Sequence, residues 1–129
     1  LMTELPNYSL WKGRFPNKFK YFIYPLPCTS GPEQLGNYIF ARIENKAWVP
    51  IFIGAGDLHV AANFSSEANC ARTKGATHFL AHVNTNNHKR ERELEELLMR
   101  YTECYKPNGC NDVPDGFDPS KKPKSRFFW

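Results

Sequence analysis

Two neighbouring stretches in the middle of the chain show the hydrophobic pattern of β-strands. Asn37 to Ile43 is rich in β-branched and aromatic residues, and Trp48 to Gly54 has the same character after the short turn ENKA. Because so short a connection joins adjacent antiparallel strands, the pattern predicts a hairpin. Pro50 has no amide hydrogen, so it must lie where the sheet needs no donor.

Two short helices and a third strand are predicted to follow the hairpin. Asp57 precedes LHVAANF, and Ser65 precedes a second helical stretch that reaches Thr73; both residue types are preferred N-caps. Gly75 ends that stretch. The sequence THFLAHV then alternates with a period of two residues, which predicts the third strand.

The longest predicted helix runs from about Asn86 to Tyr101. Apolar residues recur along it at helical spacing and predict a stripe that packs on the sheet: Leu94, Leu97, Leu98 and Tyr101. The charged run HKRERELEE predicts a solvated helix surface on the opposite side, which carries Glu93, Glu95, Glu96 and Arg100.

The order of elements predicts one α+β domain with a small three-stranded antiparallel sheet flanked by helices. A chain of 129 residues suits a single domain. Residues 1–35 are predicted to form an irregular N-terminal extension, in which only Lys20 to Tyr24 has strand character. The domain itself is predicted over residues 36–108, and residues 109–129, ending in KKPKSRFFW, form a predicted basic and aromatic tail.

Charge and cysteine content add weaker constraints. Seventeen Lys and Arg against thirteen Asp and Glu give a net charge of +4, which suits a polyanionic partner without requiring one. The four cysteines contain no C-x-x-C pair and are interpreted as reduced thiols, with a Cys104–Cys110 bridge as the alternative in an exported protein. There is no apolar run of membrane-span length and no signal-peptide pattern, so the expectation is a cytoplasmic protein without membrane contact.

Two tripeptides lie on the predicted hairpin: Asn37–Ile39 (NYI), directly after Gly36, and Phe52–Gly54 (FIG). GDL follows the second tripeptide, KGATHFLAHVN covers the third strand, and ELEELLMRYTECYKPN closes the last helix. In this order the motifs resemble the GIY-YIG nucleases over residues 36–108. The resemblance implies a GIY-YIG-like fold, hydrolysis of phosphodiesters, Mg²⁺ or Mn²⁺ as cofactor, and nucleic acid as partner, with DNA favoured over RNA.

The resemblance also implies catalytic positions. Tyr38 stands where a family tyrosine positions water, although a strand tyrosine with a buried ring is an equal alternative. Phe52 replaces the second tyrosine and lacks its hydroxyl. The position of the family arginine is apolar here, so His59, Arg72 and Arg42 are the candidate substitutes; His59 is alternatively a surface histidine at a helix start.

The family's metal-binding glutamate falls on Leu94, which cannot ligate a metal. Glu91, the carboxylate nearest the apolar stripe, is the first metal candidate and Glu95 the second. Contacts with nucleic acid are expected from basic residues of the domain and the tail: Arg42, Lys106, Lys121, Lys122, Lys124 and Arg126. The aromatic residues of the tail alternatively dock on the domain.

Each altered position removes a group that hydrolysis needs: a hydroxyl, a cation, or a metal-binding carboxylate. The favoured hypothesis is therefore a nuclease-family domain that is catalytically degenerate and retained as a nucleic-acid-binding module. An active Mg²⁺- or Mn²⁺-dependent endonuclease with rearranged residues is one alternative. A protein-interaction domain is the other.

Overall fold

The computed structural model describes residues 7–27 and 33–116. Within these ranges, five strands form one antiparallel sheet in the order β1-β2-β5-β3-β4: β1 Tyr8–Lys12, β2 Lys18–Pro25, β3 Leu35–Glu44, β4 Ala47–Asp57 and β5 His78–Val83. The helical elements are α1 Leu58–Phe64, α2 Ser66–Thr73, α3 Asn87–Arg100 and a 3-10 turn, Thr102–Cys104. The α+β class is confirmed, but the sheet has five strands where three were predicted.

The prediction of an irregular N-terminal extension was wrong, because β1 and β2 belong to the sheet. β1 pairs with β2, and β2 pairs with β5, with Phe22 opposite Ala81. The outward-facing residues Tyr8 and Leu10 of β1 are apolar and exposed, so β1 lacks the alternation that reveals a half-buried strand. The sheet therefore begins before the predicted boundary at residue 36.

The predicted hairpin of β3 and β4 is confirmed. Tyr38 lies opposite Gly54 and Phe40 lies opposite Phe52. The register then shifts, so that Ala41 lies opposite Pro50 and β4 carries a bulge at this point. β4 is an edge strand, which is where a proline in a sheet is tolerated.

The sheet separates two hydrophobic clusters because successive strand side chains point to opposite faces. α1 and α2 cover the first cluster, whose larger members are Tyr38, Phe40, Ile51, Leu58 and Phe79. α3 and the 3-10 turn cover the second cluster, whose larger members are Trp11, Tyr21, Ile39, Ile53, Leu80 and Leu97.

Each α-helix begins at a residue whose side chain accepts a backbone hydrogen bond. Asp57 accepts from Val60 N at 2.9 Å, and Ser65 accepts from Ala68 N at 3.1 Å, so both predicted N-caps are confirmed. Asn86 caps α3 in the same way. Within the described ranges, no helix combines the length and the apolar character that are needed to span a bilayer.

α3 packs its predicted apolar stripe on the second cluster, but its buried face is wider than predicted. Its fully buried residues are Glu93, Glu96 and Leu97, while Leu94 and Leu98 are only partly buried. Glu93 and Glu96 were predicted to lie on the solvated surface, and this was wrong. Both carboxylates are buried because other elements supply hydrogen-bond donors to them, which removes the main cost of burying a charge.

The segment after α3 is attached to the edge strand β4. Cys110 N donates to Ile51 O, and the side-chain amide of Asn111 both donates to and accepts from the backbone of Ile53 at 2.9 Å. The domain therefore continues past the predicted boundary at residue 108. These contacts satisfy backbone groups that an edge strand otherwise leaves unpaired.

The prediction of reduced thiols was wrong for two of the cysteines. Cys70 of α2 and Cys110 form a disulfide across 40 residues of sequence, with their Cα atoms 6.1 Å apart. Cys104, the partner that the sequence suggested for Cys110, is a buried free thiol. Cys28 lies outside the described residues. Reduced thiols had supported the cytoplasmic expectation, and this support is lost because disulfides are rare in cytosolic proteins.

Candidate functional site

Tyr38 and Phe52 lie on adjacent antiparallel strands and face the same side of the sheet. Their rings are stacked with centroids 6.0 Å apart, and Phe79 stacks on Tyr38 at 5.6 Å. A Cβ atom at Gly54 would lie 2.6 Å from the Tyr38 hydroxyl oxygen, so only glycine fits opposite this tyrosine. The glycine of the second tripeptide is thereby explained by packing.

The Tyr38 side chain belongs to the core rather than to an open cleft. It is 6% exposed, and burial together with the negative charge of Glu67 raises its pKa to about 12. A phenol with this pKa holds its proton and is a poor general base near neutral pH. The buried strand tyrosine is thus the interpretation that matches the geometry.

The candidate phosphate ligands lie at separate places around α1 and α2. His59 is half-buried on α1. Arg72 is exposed at the end of α2 and donates to Asn69. Arg42, near the end of β3, forms an ion pair with Glu44 at 3.2 Å. Among the described residues, neither Arg72 nor Arg42 forms a hydrogen bond or an ion pair with Tyr38.

The candidate metal ligands are on the other side of the sheet. Glu91 and Glu95 are exposed on α3, where they line a shallow depression with the basic residues His88, Lys89 and Arg92. α3 packs on the face opposite Tyr38. The described residues contain no group of three or more His, Cys, Asp or Glu side chains that could hold a metal ion.

The remaining predicted nucleic-acid contacts are divided between the domain and the tail. Lys106 is exposed after the 3-10 turn and pairs with Asp112 at 2.7 Å. Four of the predicted residues lie outside the described residues: Lys121, Lys122, Lys124 and Arg126. Their roles stay predictions.

A buried carboxylate that the sequence did not single out lies at the centre of a polar network beneath α3. Glu93 is 2% exposed, and its Oε2 accepts from the hydroxyl of Tyr21 and lies 2.9 Å from Nδ1 of His82. Asn84 Nδ2 lies 3.4 Å from the other carboxylate oxygen. Burial, followed by the charge and hydrogen bond of Glu93, raises the pKa of Tyr21 well above its ordinary value. Tyr21 therefore stays a proton donor to the carboxylate.

The network continues along the end of β5 into the first turns of α3. Asn84 donates to Asn37 Oδ1 at 3.1 Å, and Asn37 donates to Arg90 O at 2.9 Å. Arg90 in turn donates to Asn84 O at 3.0 Å. Asn37 is the first residue of the NYI tripeptide, so the tripeptide supplies one side chain to each face of the sheet.

Glu96 anchors the turn between β1 and β2. Its carboxylate accepts from Arg14 N at 2.6 Å and from the side-chain amide of Asn17 at 3.1 and 3.2 Å. A Cβ atom at Gly13 would lie 2.5 Å from Glu96 Oε1, so the turn can approach α3 this closely only with glycine. The hairpin of β1 and β2 is thus held in place by α3.

The same hairpin carries an open surface of basic and aromatic side chains. Three cross-strand pairs point away from α3: Tyr8 with Phe22, Leu10 with Lys20, and Lys12 with Lys18. We call these six residues the hairpin face. Lys20 Nζ lies 4.2 Å from the ring centroid of Tyr8 and 5.5 Å from that of Phe22, which are cation–π distances.

The hairpin face has one sign of charge. Residues 7–27 contain four basic residues, Lys12, Arg14, Lys18 and Lys20, and no Asp or Glu. Tyr8 and Phe22 are 43% and 46% exposed. Basic residues interleaved with aromatic residues were visible in the sequence, but they were assigned to an irregular extension because β1 was not predicted.

No family model, no curated protein and no solved structure matches this chain.

Proposed function

We propose that this chain is a nucleic-acid-binding domain that holds a single strand on the hairpin face. The observation that carries the proposal is the placement of three lysines and two exposed aromatic rings on one side of a rigid hairpin. The GIY-YIG resemblance supplies a second, independent reason to expect nucleic acid as the partner.

The lysines supply the electrostatic part of binding. Lys12, Lys18 and Lys20 lie on adjacent strands, and no acidic residue of the hairpin offsets their charge. Phosphates that contact lysines release condensed counterions, which gives an affinity that falls steeply with salt. The strand pairing fixes the lysines relative to one another, so little backbone order has to be gained on binding.

The exposed rings supply the part that distinguishes nucleic acid from other polyanions. Bases stack on aromatic side chains regardless of sequence, and each stacking contact contributes about 1–3 kcal/mol. Tyr8 and Phe22 stand beside Lys20, so a base and its phosphate can be contacted by neighbouring side chains. An acidic peptide has the charge but lacks the bases.

The proposal assigns the tripeptide hairpin a structural role. Tyr38 is buried under α1 and α2, and the candidate metal ligands Glu91 and Glu95 lie on α3 across the sheet. This arrangement supports binding rather than metal-dependent cleavage at Tyr38. We expect little or no cleavage of DNA that depends on Mg²⁺ or Mn²⁺.

The binding test uses fluorescence anisotropy with labelled single-stranded RNA, single-stranded DNA and polyglutamate. Replacing Lys18 and Lys20 together by Gln should weaken binding of both nucleic acids roughly tenfold at moderate salt. The matched control replaces Lys46 and Lys89 by Gln and so loses the same charge. Lys46 is exposed on the β3–β4 turn, and Lys89 is exposed on α3. This control should bind nearly as well as the wild type.

A second pair of variants separates stacking from charge. Tyr8→Ala and Phe22→Ala should each weaken nucleic-acid binding by about 5- to 150-fold, because each removes a stacking surface. Val60→Ala, at an exposed apolar residue of α1, is the control. Equal binding of polyglutamate and nucleic acid, or an equal loss in the Lys46/Lys89 control, would contradict the proposal and favour a protein partner.

A further inference from the structure

His82 and Glu93 have the geometry of an acid–base dyad. Nδ1 of His82 lies 2.9 Å from a carboxylate that is buried and also accepts from Tyr21. In the neutral tautomer that has its proton on Nδ1, this nitrogen donates to Glu93 and Nε2 keeps its lone pair. Nε2 has no hydrogen-bond partner among the described residues and is not buried, and the side chain is 32% exposed.

The environment holds this imidazole in one orientation. Tyr21 meets the ring edge to face with centroids 5.7 Å apart, and Phe19 lies on another side at 6.5 Å. Glu93 is itself fixed by Tyr21 and Asn84. A histidine that is oriented by a buried carboxylate and open to solvent at its other nitrogen is the arrangement that general bases require.

The dyad lies on the α3 side of the sheet, beside the β1–β2 hairpin and opposite the hairpin face. Phe19, which contacts His82, is a residue of β2, and the β1–β2 turn is bound to α3 through Glu96. Glu93 and Glu96 are one helical turn apart on α3. A strand bound on the hairpin face would have to cross this end of the sheet to reach His82 Nε2.

We infer that His82 is the general base of a metal-independent cleavage of RNA and that Glu93 is its positioning residue. The choice of a nucleic-acid strand as the substrate rests on the proposed function. His82 Nε2 takes the proton of a ribose 2′-hydroxyl, whose oxygen forms a bond to the adjacent phosphorus. The bond from phosphorus to the 5′-oxygen breaks, and the leaving oxygen takes a proton from solvent. The product is a 2′,3′-cyclic phosphate, with no change of oxidation state.

RNA is the substrate that this chemistry selects. A general base acts on a nucleophile that is already in position, and the ribose 2′-hydroxyl is such a nucleophile. Deoxyribose lacks this group, so a DNA strand bound at the same place stays intact. The inference thus changes the expected substrate from DNA, which the sequence favoured, to RNA.

The first experiment tests the chemistry apart from strand binding. Uridine 3′-(4-nitrophenyl) phosphate is incubated with the protein in EDTA, and release of nitrophenolate is followed by absorbance. His82→Gln should lower kcat by about 100-fold or more, the range of general-base contributions, with little change in KM. His78→Gln is the matched control because His78 lies on the same face of β5 and contacts Thr77 and Trp48 instead of a carboxylate.

Two further measurements distinguish a base from a structural residue. Imidazole added to His82→Gly should restore nitrophenolate release, while imidazole should not change the His78→Gln rate. Glu93→Gln keeps the side-chain shape and removes the charge, and it should lower kcat while the thermal transition of the protein is retained. Absence of activity in the wild type, equal rates in His82→Gln and His78→Gln, or activity abolished by EDTA would each overturn the inference.

The strand experiment separates this inference from the proposed function. Single-stranded RNA that is bound but left intact, together with an unreactive small ester, would overturn the dyad and leave the binding function standing. Cleavage of the small ester without binding of RNA or DNA would overturn the binding function and leave the dyad standing. Cleavage of bound RNA to 2′,3′-cyclic phosphate ends, with DNA of the same sequence intact, is the expected result.

Discussion

Two buried carboxylates of α3 show how partners decide the burial of a charged residue. Glu93 receives hydrogen bonds from the side chains of β2 and β5, whereas Glu96 receives them from the backbone and side-chain amides of the β1–β2 turn. Both are within one turn of Glu95, which has the same side chain but is exposed. The environment, not the residue type, sets the exposure.

The contribution of Glu96 to stability can be measured by comparison with that of the exposed Glu95. Glu96→Ala leaves the Arg14 N–H and the Asn17 amide without their acceptor, and we expect the free energy of unfolding to fall by about 1–3 kcal/mol. Glu95→Ala, at an exposed site, should change it by less than about 0.5 kcal/mol. Urea unfolding of both variants gives the comparison, and equal effects would contradict the anchoring role of Glu96.

The raised pKa of Tyr38 predicts a stability change at alkaline pH. The hydroxyl ionises near 10.0 in the unfolded chain and at about 12 in the fold, so the folded state favours the neutral form. The contribution of the Tyr38 hydroxyl to the free energy of unfolding is complete below pH 10 and is lost as pH rises from 10 towards 12. Tyr38→Phe removes this ionisation.

Urea unfolding across this pH range checks the effect. The free energy of unfolding of the wild type should fall more between pH 10 and 12 than that of Tyr38→Phe, although other buried tyrosines contribute to both curves. Parallel curves would show that the Tyr38 hydroxyl is accessible in the fold. Near neutral pH the two proteins should bind nucleic acid equally, because the hydroxyl faces the core and not the hairpin face.

At the scale of single elements, α3 shows why a helix is easier to predict than the full extent of its buried face. The helix from about Asn86 to Tyr101 was predicted from the spacing of its apolar residues, and Asn86 caps it. The leucine stripe packs on the second cluster as predicted, but the buried face also includes Glu93 and Glu96, which the prediction placed in solvent. Apolar periodicity cannot reveal carboxylates whose donors lie far away in the sequence.

The register of α3 makes a direct prediction for stability. Leu97 is fully buried in the second cluster, so Leu97→Ala should lower the free energy of unfolding by about 2–5 kcal/mol. Met99 is on the same helix and 45% exposed, and Met99→Ala is the control, with an expected change below about 1 kcal/mol. A larger effect at Met99 than at Leu97 would show that α3 is rotated.

Of the β1–β2 hairpin, the sequence pattern indicated only Lys20 to Tyr24, which lies in β2, and gave no sign of β1. The outer positions of the hairpin are occupied by Tyr8, Leu10 and Phe22, which obscure the apolar–polar alternation of a half-buried strand. Apolar residues on the exposed side of a strand serve no core, and we attribute them to binding. The exposed apolar residues that obscured the strand pattern are thus residues on which the proposed function depends.

At the scale of the whole molecule, a disulfide joins two elements that are distant in sequence. Cys70 belongs to α2 on one side of the sheet, and Cys110 belongs to the segment that lies along β4. Closing a loop of about 40 residues lowers the entropy of the unfolded chain and stabilises the fold by about 4 kcal/mol in the chain-entropy account.

The double variant Cys70→Ser/Cys110→Ser measures this contribution. The double variant should unfold at a lower urea concentration than the wild type, and its free energy of unfolding should be lower by about 4 kcal/mol. The wild type with its disulfide reduced should have nearly the same free energy of unfolding as the double variant. Added reductant should not change the double variant further. If reductant leaves the wild type unchanged as well, the two thiols are not linked in the protein.

The class of the fold and the order of its central elements followed from local patterns: the β3–β4 hairpin, the capped helices and strand β5. The long-range features did not follow, since the disulfide, the pairing of β2 with β5 and the carboxylate network each join residues with no sequence signal for their contact. For the same reason, the polar network lies away from the site that the tripeptides indicated. The tripeptides marked a hairpin correctly, but Tyr38 points into the core and the polar network forms around Asn37 on the opposite face.

The central claim is that a nucleic-acid strand binds the hairpin face, and the salt dependence of binding tests it most directly. The logarithm of the association constant for a single strand falls with the logarithm of salt concentration, with a slope of roughly −0.7 for each phosphate contact. Replacing Lys18 and Lys20 by Gln should make the slope shallower by about 1.4, while the Lys46/Lys89 control should keep the wild-type slope. Identical slopes in all three proteins would place the bound strand elsewhere and contradict the account.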